Sequence, residues 1–236
     1  MIEALVITPV KDSLETTRQT IEAVSKAKGN FKYVVFNDFS GKETKDFLDR
    51  HQALYNFQVI HLEEVTTHPS PNYKLALQMA QEMALTENAP LIVIESDVIV
   101  QENTIAELVE IANQAPVPGL VGAITVDQQG NYNFPYAHEK RSGQPWEETN
   151  HSLSFCCTLI TADYLRKFNF RELSTSKDWF DIFISRQSKR LGLKNYLVKK
   201  LEVVHLPHSS RPWKKQKYSS PFLYYLNKFL KRRDRI

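Results

Sequence analysis

Residues 91–97 read Leu91-Ile92-Val93-Ile94-Glu95-Ser96-Asp97, four apolar residues followed directly by an acid, a serine and a second acid. A continuous apolar run is typical of a parallel strand that helices cover on both faces. In an open α/β sheet, ligands bind beyond the carboxyl ends of the strands, which is where these acids stand. The stretch therefore predicts a central buried strand with a binding site at its end.

The residues around this strand alternate between strand-like and helix-like patterns. Apolar runs predict strands over 5–10, 33–36, 57–60 and 120–124. Apolar residues at helical spacing predict helices over 14–24, around 47–54, and over 73–83 and 104–113. This order predicts an α/β fold with a Rossmann-like, mainly parallel central sheet flanked by helices.

The second half of the chain is less regular. The polar stretch 127–150 is too long for a simple connection, so we expect a lid or a binding loop. The patterns that follow predict a strand over 153–160, helices over 162–168 and 177–191, and a strand over 196–204. Because no linker interrupts this order, we expect a single domain over 1–210, composed of the halves 1–126 and 127–210.

Composition excludes several classes of protein. The chain has 236 residues, of which 42% are hydrophobic and 24% charged, so a mainly disordered chain is excluded. Its two cysteines are neighbours, Cys156 and Cys157, which rules out a disulfide framework and favours a reducing compartment. The first residues form no signal-like segment, and no window approaches the roughly 18 apolar residues of a membrane span. We expect a cytoplasmic protein.

Residues 211–236 are rich in lysine, arginine and aromatic residues and contain a single acid, Asp234. Such a basic amphipathic segment favours peripheral contact with an anionic membrane, at the inner face if the protein is cytoplasmic. A packing helix with a solvated basic end is an equally good interpretation. Because the basic residues are confined to this tail, nucleic acid is not an expected partner.

Polar residues follow three of the predicted strands. These segments are Thr8-Pro9-Val10-Lys11, Asn37-Asp38-Phe39-Ser40 and Glu95-Ser96-Asp97. Each alone is weak evidence, since a loop aspartate or serine is more often a turn former or a helix cap. Their joint occurrence at the same edge of one sheet favours a shared site.

In this order the segments resemble the family 2 glycosyltransferases and their GT-A fold, over residues 4–210. The resemblance implies that Thr8, Pro9 and Val10 line the site of a nucleotide-sugar donor and that Asp38 contacts the base. Two residues depart from the family pattern, because Asn37 replaces its first acid and Phe39 replaces its glycine.

The resemblance also implies a metal site. The family's acid-x-acid motif corresponds to Glu95-Ser96-Asp97, with Asp97 as the ligand of Mn²⁺ or Mg²⁺ and Glu95 near the ribose or a metal-bound water. Hard divalent cations prefer carboxylate oxygens and neutralise charge on a leaving diphosphate. Ser96 would face the donor, and Lys74 would lie near its diphosphate unless it is an ordinary exposed helix lysine.

The catalytic base and a further metal ligand are expected in the second half. The family places an acid at the start of a helix that later carries an arginine and ends at a glycine, and here both Asp178 and Asp181 fit. Its terminal strand ends in a histidine that often completes the metal site. His205 fits that position best, and His208 is a second candidate.

The activity that the resemblance implies is inverting transfer of a sugar from a UDP- or GDP-sugar to a carbohydrate or lipid-linked acceptor, in bacterial surface polysaccharide synthesis. One alternative is a catalytically impaired protein that keeps the fold and binds nucleotide sugars. A nucleotidyltransferase is the nearest rival enzyme, but such enzymes open with a glycine-rich loop, and the first glycine here is Gly29. A Rossmann dehydrogenase lacks support for the same reason.

Overall fold

The computed structural model describes residues 1–141, 143–144, 146–174 and 179–207, together with Ser220 and Phe222. The strands of its sheet are β1 (Ala4–Val10), β2 (Phe31–Asn37), β3 (Gln58–His61), β4 (Leu91–Ile94), β5 (Val98–Ile99), β6 (Pro118–Val126), β7 (Glu147–Glu148), β8 (Cys157–Ile160) and β9 (Lys194–His205). The helices are α1 (Leu14–Ser25), α2 (Lys42–Tyr55), α3 (Tyr73–Thr86), α4 (Thr104–Gln114), α5 (Ala162–Lys167) and α6 (Phe180–Arg190). Two 3-10 turns occupy Leu62–Glu64 and Phe170–Glu172.

All nine strands belong to one sheet, with the order β3-β2-β1-β4-β8-β6-β9-β5 and with β7 paired to β9. The strands β3, β2, β1 and β4 are mutually parallel, as are β6 and β9. Strand β8 runs antiparallel between β4 and β6, so these two groups point the same way. Only β5, β7 and β8 are reversed, which confirms the prediction of a mainly parallel α/β sheet.

Strand β4 is covered on both faces, as its apolar run predicts. Leu91 and Val93 pack into one apolar cluster, which includes residues of α3, while Ile92 and Ile94 pack into a second, which includes residues of α1 and α4. All four side chains are 0% exposed. Full burial of such a side chain contributes about 1.5–3 kcal/mol, so this strand is a major source of stability.

The predicted strand over 153–160 is only half formed. Paired residues begin at Cys157, and the residues before it bond to side chains. The backbone N–H of Leu153 donates to Ser185 Oγ at 3.0 Å, and that of Ser154 donates to the Tyr136 hydroxyl at 2.8 Å. Because these side chains satisfy the backbone, Leu153 and Phe155 are buried without any ladder of strand bonds.

The short strands β5 and β7 have no counterpart among the predicted elements. The other predicted elements overlap the observed ones and differ at their ends, as does β9, which extends from Lys194 to His205. Its last residue pairs with Val98 of β5. Helix α6 begins at Phe180, and the predicted start near residue 177 lies outside the described residues. The same holds for His208 and for all of the tail except Ser220 and Phe222. Among the described residues, no helix is both long and apolar enough to span a bilayer.

Candidate active site

The two acids that follow β4 lie in a turn that three neighbouring elements hold. The Glu95 backbone N–H donates to the Cys156 carbonyl at 3.1 Å, and the Val98 N–H donates to the Glu95 carbonyl at 3.2 Å. The Leu206 N–H donates to the Asp97 carbonyl at 2.8 Å. Because β5 pairs with the end of β9, the last strand brings His205 to the acids that follow the central strand.

Potential metal-binding atoms of Glu95, Cys156 and His205 all lie within 4.8 Å of one another. Asp97 lies outside this group but contacts it, since its Oδ2 is 3.5 Å from Nε2 of His205. Carboxylates and a neutral imidazole together suit Mn²⁺, and the carboxylates alone suit Mg²⁺. The residues present therefore fit a divalent cation, and the geometry brings the predicted pair Asp97 and His205 together with Glu95.

One hydrogen bond fixes the orientation of the His205 ring. Its Nδ1 lies 2.6 Å from the Phe134 carbonyl oxygen, which can only accept, so Nδ1 carries the proton. Nε2 is therefore the nitrogen that faces Asp97: the protonated ring donates to that carboxylate, and the neutral ring has its Nε2 lone pair available to a cation, as in metal-binding histidines. Burial lowers the pKa of His205, but the hydrogen bond and charge of Asp97, the charge of Glu95 and the Phe134 carbonyl raise it more, and the net shift is upward.

Glu95 lies among other acids. Burial raises the pKa of its carboxyl, and the charges of Asp97 and Asp181 raise it further, against the opposing effect of His205. Three carboxyls therefore share this part of the molecule with one histidine. A cation would relieve their mutual repulsion.

Cys156 is a site residue that sequence reasoning missed, since the pattern around it predicts only a strand over 153–160. Its Sγ lies 3.4 Å from Oε2 of Glu95 and 3.3 Å from Oγ of Ser154. Burial raises the pKa of the thiol well above its usual value, so it is a neutral donor to Glu95. It reaches the site because β8 is antiparallel to β4, which places the start of β8 beside the end of β4.

Asp181 lies in the first turn of α6. Burial raises the pKa of its carboxyl, although the backbone N–H of Ile182, at 2.8 Å from Oδ1, opposes that shift. Trp179, the residue immediately before α6, is 45% exposed. The alternative base, Asp178, lies outside the described residues.

Tyr73 is the first residue of α3, the helix that the sequence predicts over 73–83. Its ring packs edge-on against Phe155 and Phe180, with centroids 6.5 and 6.0 Å away. Its hydroxyl is buried without a hydrogen-bond partner among the described residues. Burial raises the pKa of this phenol, as do the charges of Glu95 and Asp181, so it is a neutral donor that faces the acids.

Asp38 anchors the segment that precedes α3. Its carboxylate accepts hydrogen bonds from Oγ of Ser70 at 2.6 Å and from the backbone N–H and side-chain amide of Asn72, both at 2.9 Å. Through these bonds Asp38 fixes the position at which α3 begins. Asp38 as a whole is 9% exposed. Its predicted contact with the nucleotide base stays a prediction.

Asn37 and Phe39, the two departures from the family pattern, have local structural roles. The amide of Asn37 donates to Nδ1 of His61 at 2.8 Å, and Nε2 of His61 then donates to Asp49 at 2.8 Å. Phe39 adopts φ of 56°, a left-handed conformation that glycine reaches at lower cost. The Phe39 carbonyl accepts a hydrogen bond from the Lys11 ammonium, and this bond stabilises Phe39 in the left-handed conformation.

The remaining predicted residues have other contacts. Thr8 is 0% exposed and its hydroxyl accepts from Tyr33 at 2.9 Å, so its side chain lies in the core. Pro9 is half-buried and Val10 is 1% exposed. The Lys74 ammonium donates to the carbonyls of Leu173 and Arg171, which joins α3 to the turn after α5. Ser96 is 8% exposed within the turn between the acids.

Comparisons with known proteins agree with this architecture. A sequence model described as glycosyl transferase family 2 matches residues 5–169. A search of curated proteins gives no significant match. Among solved structures, the mannosyltransferase PcManGT from Pyrobaculum calidifontis, in complex with GDP-Man and Mn²⁺, has a TM-score of 0.68 and 11% identity, and covers 97% of this chain.

Two other structures are similar to the chain. TarS 1-349 of S. aureus in complex with UDP has a TM-score of 0.64 at 14% identity and covers 90% of this chain. GalNAc-T7 with UDP, GalNAc and Mn²⁺ has a TM-score of 0.66 at 14% identity and covers 89%. The chain spans 64% of PcManGT, 62% of that TarS structure and 44% of GalNAc-T7, less than two thirds of each. At these identities the likeness shows the GT-A fold alone.

Proposed function

Because the chain belongs to glycosyl transferase family 2, we propose that it moves a sugar from a UDP- or GDP-sugar to a hydroxyl of a carbohydrate or lipid-linked acceptor, with inversion at the anomeric carbon. The observation that carries the proposal is that Glu95, Asp97 and His205 lie close together beyond the carboxyl end of β4. Asp181 lies near enough for its charge to raise the pKa of Glu95. Surface polysaccharide synthesis is the biological setting that we propose for this reaction.

The metal-binding part of the proposal assigns Asp97 and His205 as ligands of Mn²⁺ or Mg²⁺, with Glu95 beside them. Such an ion neutralises charge on a leaving nucleoside diphosphate. His205 supports this role because its Nδ1 proton is committed to Phe134, which leaves Nε2 toward Asp97. Asp38 and the β1 and β2 loops would face the nucleoside, with Thr8 contributing through its backbone only.

The catalytic part of the proposal assigns Asp181 as the base. Its carboxylate takes the proton of the acceptor hydroxyl, the acceptor oxygen attacks the anomeric carbon, and the bond from that carbon to the diphosphate oxygen breaks. A raised pKa strengthens a carboxylate as a proton acceptor, and burial provides that shift here. Tyr73 supports the assignment because its unpartnered hydroxyl can donate to a sugar or acceptor oxygen near the same acids.

The donor-binding test uses calorimetry with UDP and GDP, each with and without Mn²⁺. We expect metal-dependent binding of one of them by the wild-type protein, and no detectable binding by Asp97→Ala, because the diphosphate then lacks a cation. Asp163→Ala is the matched control, since Asp163 is an exposed acid on α5 that pairs with Lys167. Equal affinity with and without metal would refute the metal assignment.

A second candidate is a protein that binds nucleotide sugars without turnover. The contacts of Asp38 favour it, because Ser70 and Asn72 already occupy a carboxylate that the resemblance assigns to the base. A wild-type protein that binds a nucleotide sugar but neither transfers nor slowly hydrolyses any donor would support this alternative. Measurable hydrolysis of one donor would exclude it.

A further inference from the structure

A second cluster of metal-binding side chains lies outside the candidate active site, on the two loops that precede and follow β7. Potential ligand atoms of His138, Glu139 and His151 all lie within 4.8 Å of one another. Nε2 of His138 is 3.7 Å from Oε1 of Glu139, and the two imidazole rings meet edge-on with centroids 5.6 Å apart. Two ligands of a tetrahedral Zn²⁺ lie about 3.4 Å apart, so small side-chain rotations would complete the geometry.

The glutamate in this cluster is held in place by a lysine on β9. Oε2 of Glu139 lies 3.1 Å from Nζ of Lys199, and that ammonium also lies 2.9 Å from Oε2 of Glu147. With Oε2 engaged by the lysine, Oε1 is the oxygen that faces His138. Metal-binding carboxylates commonly have such a partner on their second oxygen.

The local charge also favours a cation. Lys199 is only 10% exposed and is paired with both Glu139 and Glu147, so the three groups together carry one negative charge. A cavity of about 300 Å³ lined by Glu139, Glu147, His151 and Leu197 leaves room for water ligands.

We propose that His138, Glu139 and His151 form a Zn²⁺ site that joins the loop before β7 to the loop after it. Imidazole and carboxylate ligands suit Zn²⁺, and a water molecule completes four-coordination. The ion joins residues 138–139 to residue 151, and so ties together the two ends of the intervening segment.

Residues near the cluster in the chain also make hydrogen bonds at the candidate active site. The Phe134 carbonyl orients His205, and the Tyr136 hydroxyl accepts from the Ser154 backbone N–H two residues before Cys156. Fixing the loop at 138 and 151 therefore restricts the segments that carry these contacts. The proposal does not depend on the proposed transferase activity, since it concerns zinc and the loop alone.

The binding test measures Zn²⁺ by competition with a chromophoric indicator. All variants carry His205→Ala, so that the active-site cluster does not contribute. We expect the His205→Ala protein to bind one equivalent of Zn²⁺. A second substitution in it, His138→Ala, His151→Ala or Glu139→Gln, should weaken Zn²⁺ binding by on the order of tenfold or more. Added His51→Ala, which removes a histidine of α2, should leave affinity unchanged. If the His205→Ala protein binds no Zn²⁺, the proposed site is refuted. The site is also refuted if adding His138→Ala or His151→Ala leaves the Zn²⁺ affinity of that protein unchanged.

The loop-closure test uses limited trypsin digestion at Lys140 and Arg141, which are exposed between the two histidines. We expect Zn²⁺ to slow cleavage there in the wild-type protein and in His51→Ala, but not in His151→Ala. A peptide substrate monitors trypsin itself at the same Zn²⁺ concentration. Because His138 is 61% exposed and His151 is also exposed, these substitutions should leave the fold intact. Cleavage that Zn²⁺ does not slow in the wild-type protein refutes loop closure.

Discussion

At the scale of single residues, two buried histidines show how a neighbouring acceptor or donor determines what a ring can do. His61 uses both nitrogens within the protein, one toward the amide of Asn37 and the other toward Asp49. His205 uses only Nδ1 for a backbone carbonyl and turns Nε2 toward the acids. The first ring is therefore structural, and the second is available to a ligand.

Asp181 is the residue for which pH gives the sharpest test. The carboxylate must be ionised to accept a proton, so kcat/KM should rise with pH as Asp181 deprotonates. Because burial raises its pKa, the midpoint should lie above the ordinary aspartate value of about 3.9. We expect Asp181→Asn to lower kcat by about 10²–10⁴-fold and to abolish this rise of kcat/KM with pH. Steady-state transfer rates measured across pH check both.

Asp178→Asn is the matched comparison, because both acids fit the pattern of the family. We expect it to change kcat far less than Asp181→Asn does. The reverse result, with the large loss in Asp178→Asn, would assign the base to Asp178. Donor affinity measured in both variants separates loss of the base from loss of binding.

At the scale of elements, two reversed strands of the sheet, β8 and β5, determine which residues meet at the active-site edge. The start of β8 lies next to the end of β4, so Cys156 contacts Glu95. The pairing of β5 with β9 likewise places His205 beside Asp97. The reversed strand β8 therefore adds a side chain at its start, and the reversed strand β5 holds the end of the parallel strand β9 beside the acids.

The contact between β6 and α6 depends on a glycine. A Cβ added at Gly119 would lie 2.0 Å from Oγ of Ser188 and 2.9 Å from Cβ of Leu193, both in buried residues. We expect Gly119→Ala to lower the free energy of unfolding by about 1–3 kcal/mol, because the helix and the turn after it must shift. Denaturant unfolding would measure the change.

Gly143→Ala is the control for that substitution, since a Cβ at Gly143 meets nothing within 4 Å. Its effect should stay within about 0.5 kcal/mol. Equal stability of Gly119→Ala and the wild-type protein would show that β6 and α6 can separate without cost.

The elements of the first half could be predicted because local pattern determines them. The predicted strand at 91–94 coincides with β4, and the strand-end motifs led to the family that the sequence match confirms. What could not be predicted depends on pairing between distant residues. The Glu95 and Cys156 contact joins positions 61 apart, and the strand over 153–160 is shortened by side chains of residues 136 and 185. No local pattern carries that information.

At the scale of the whole molecule, charge is distributed unevenly along the chain. The net charge is only +3, yet residues 211–236 contain a single acid, Asp234, among many basic residues. The expectation of peripheral membrane contact rests on this tail, because a basic amphipathic segment is attracted to anionic lipid. The tail is also the part of the chain that we expect to lie beyond the domain over 1–210.

Removal of residues 211–236 tests both expectations. We expect the shortened protein to keep its metal-dependent binding of nucleoside diphosphate and to lose cosedimentation with vesicles that contain anionic phosphatidylserine. Vesicles of neutral phosphatidylcholine are the control, and the full chain should not bind them. If the shortened protein cosediments as the full chain does, the tail is not a membrane-binding segment. If it loses donor binding, the domain boundary is wrong.

The position of β9 in the sheet has a consequence for the protein during its synthesis. Strand β9 is the last strand along the described chain, but it pairs with β6 on one side and with β5 and β7 on the other. Until the ribosome has released it, β6 has an unpaired edge and Asp97 lacks His205. Growing chains are prone to aggregate at such unpaired strand edges. If the proposed metal site is correct, a nascent chain should acquire affinity for Mn²⁺ or Mg²⁺ only after its aggregation-prone edge is covered, so metal binding would report that translation of the domain is complete.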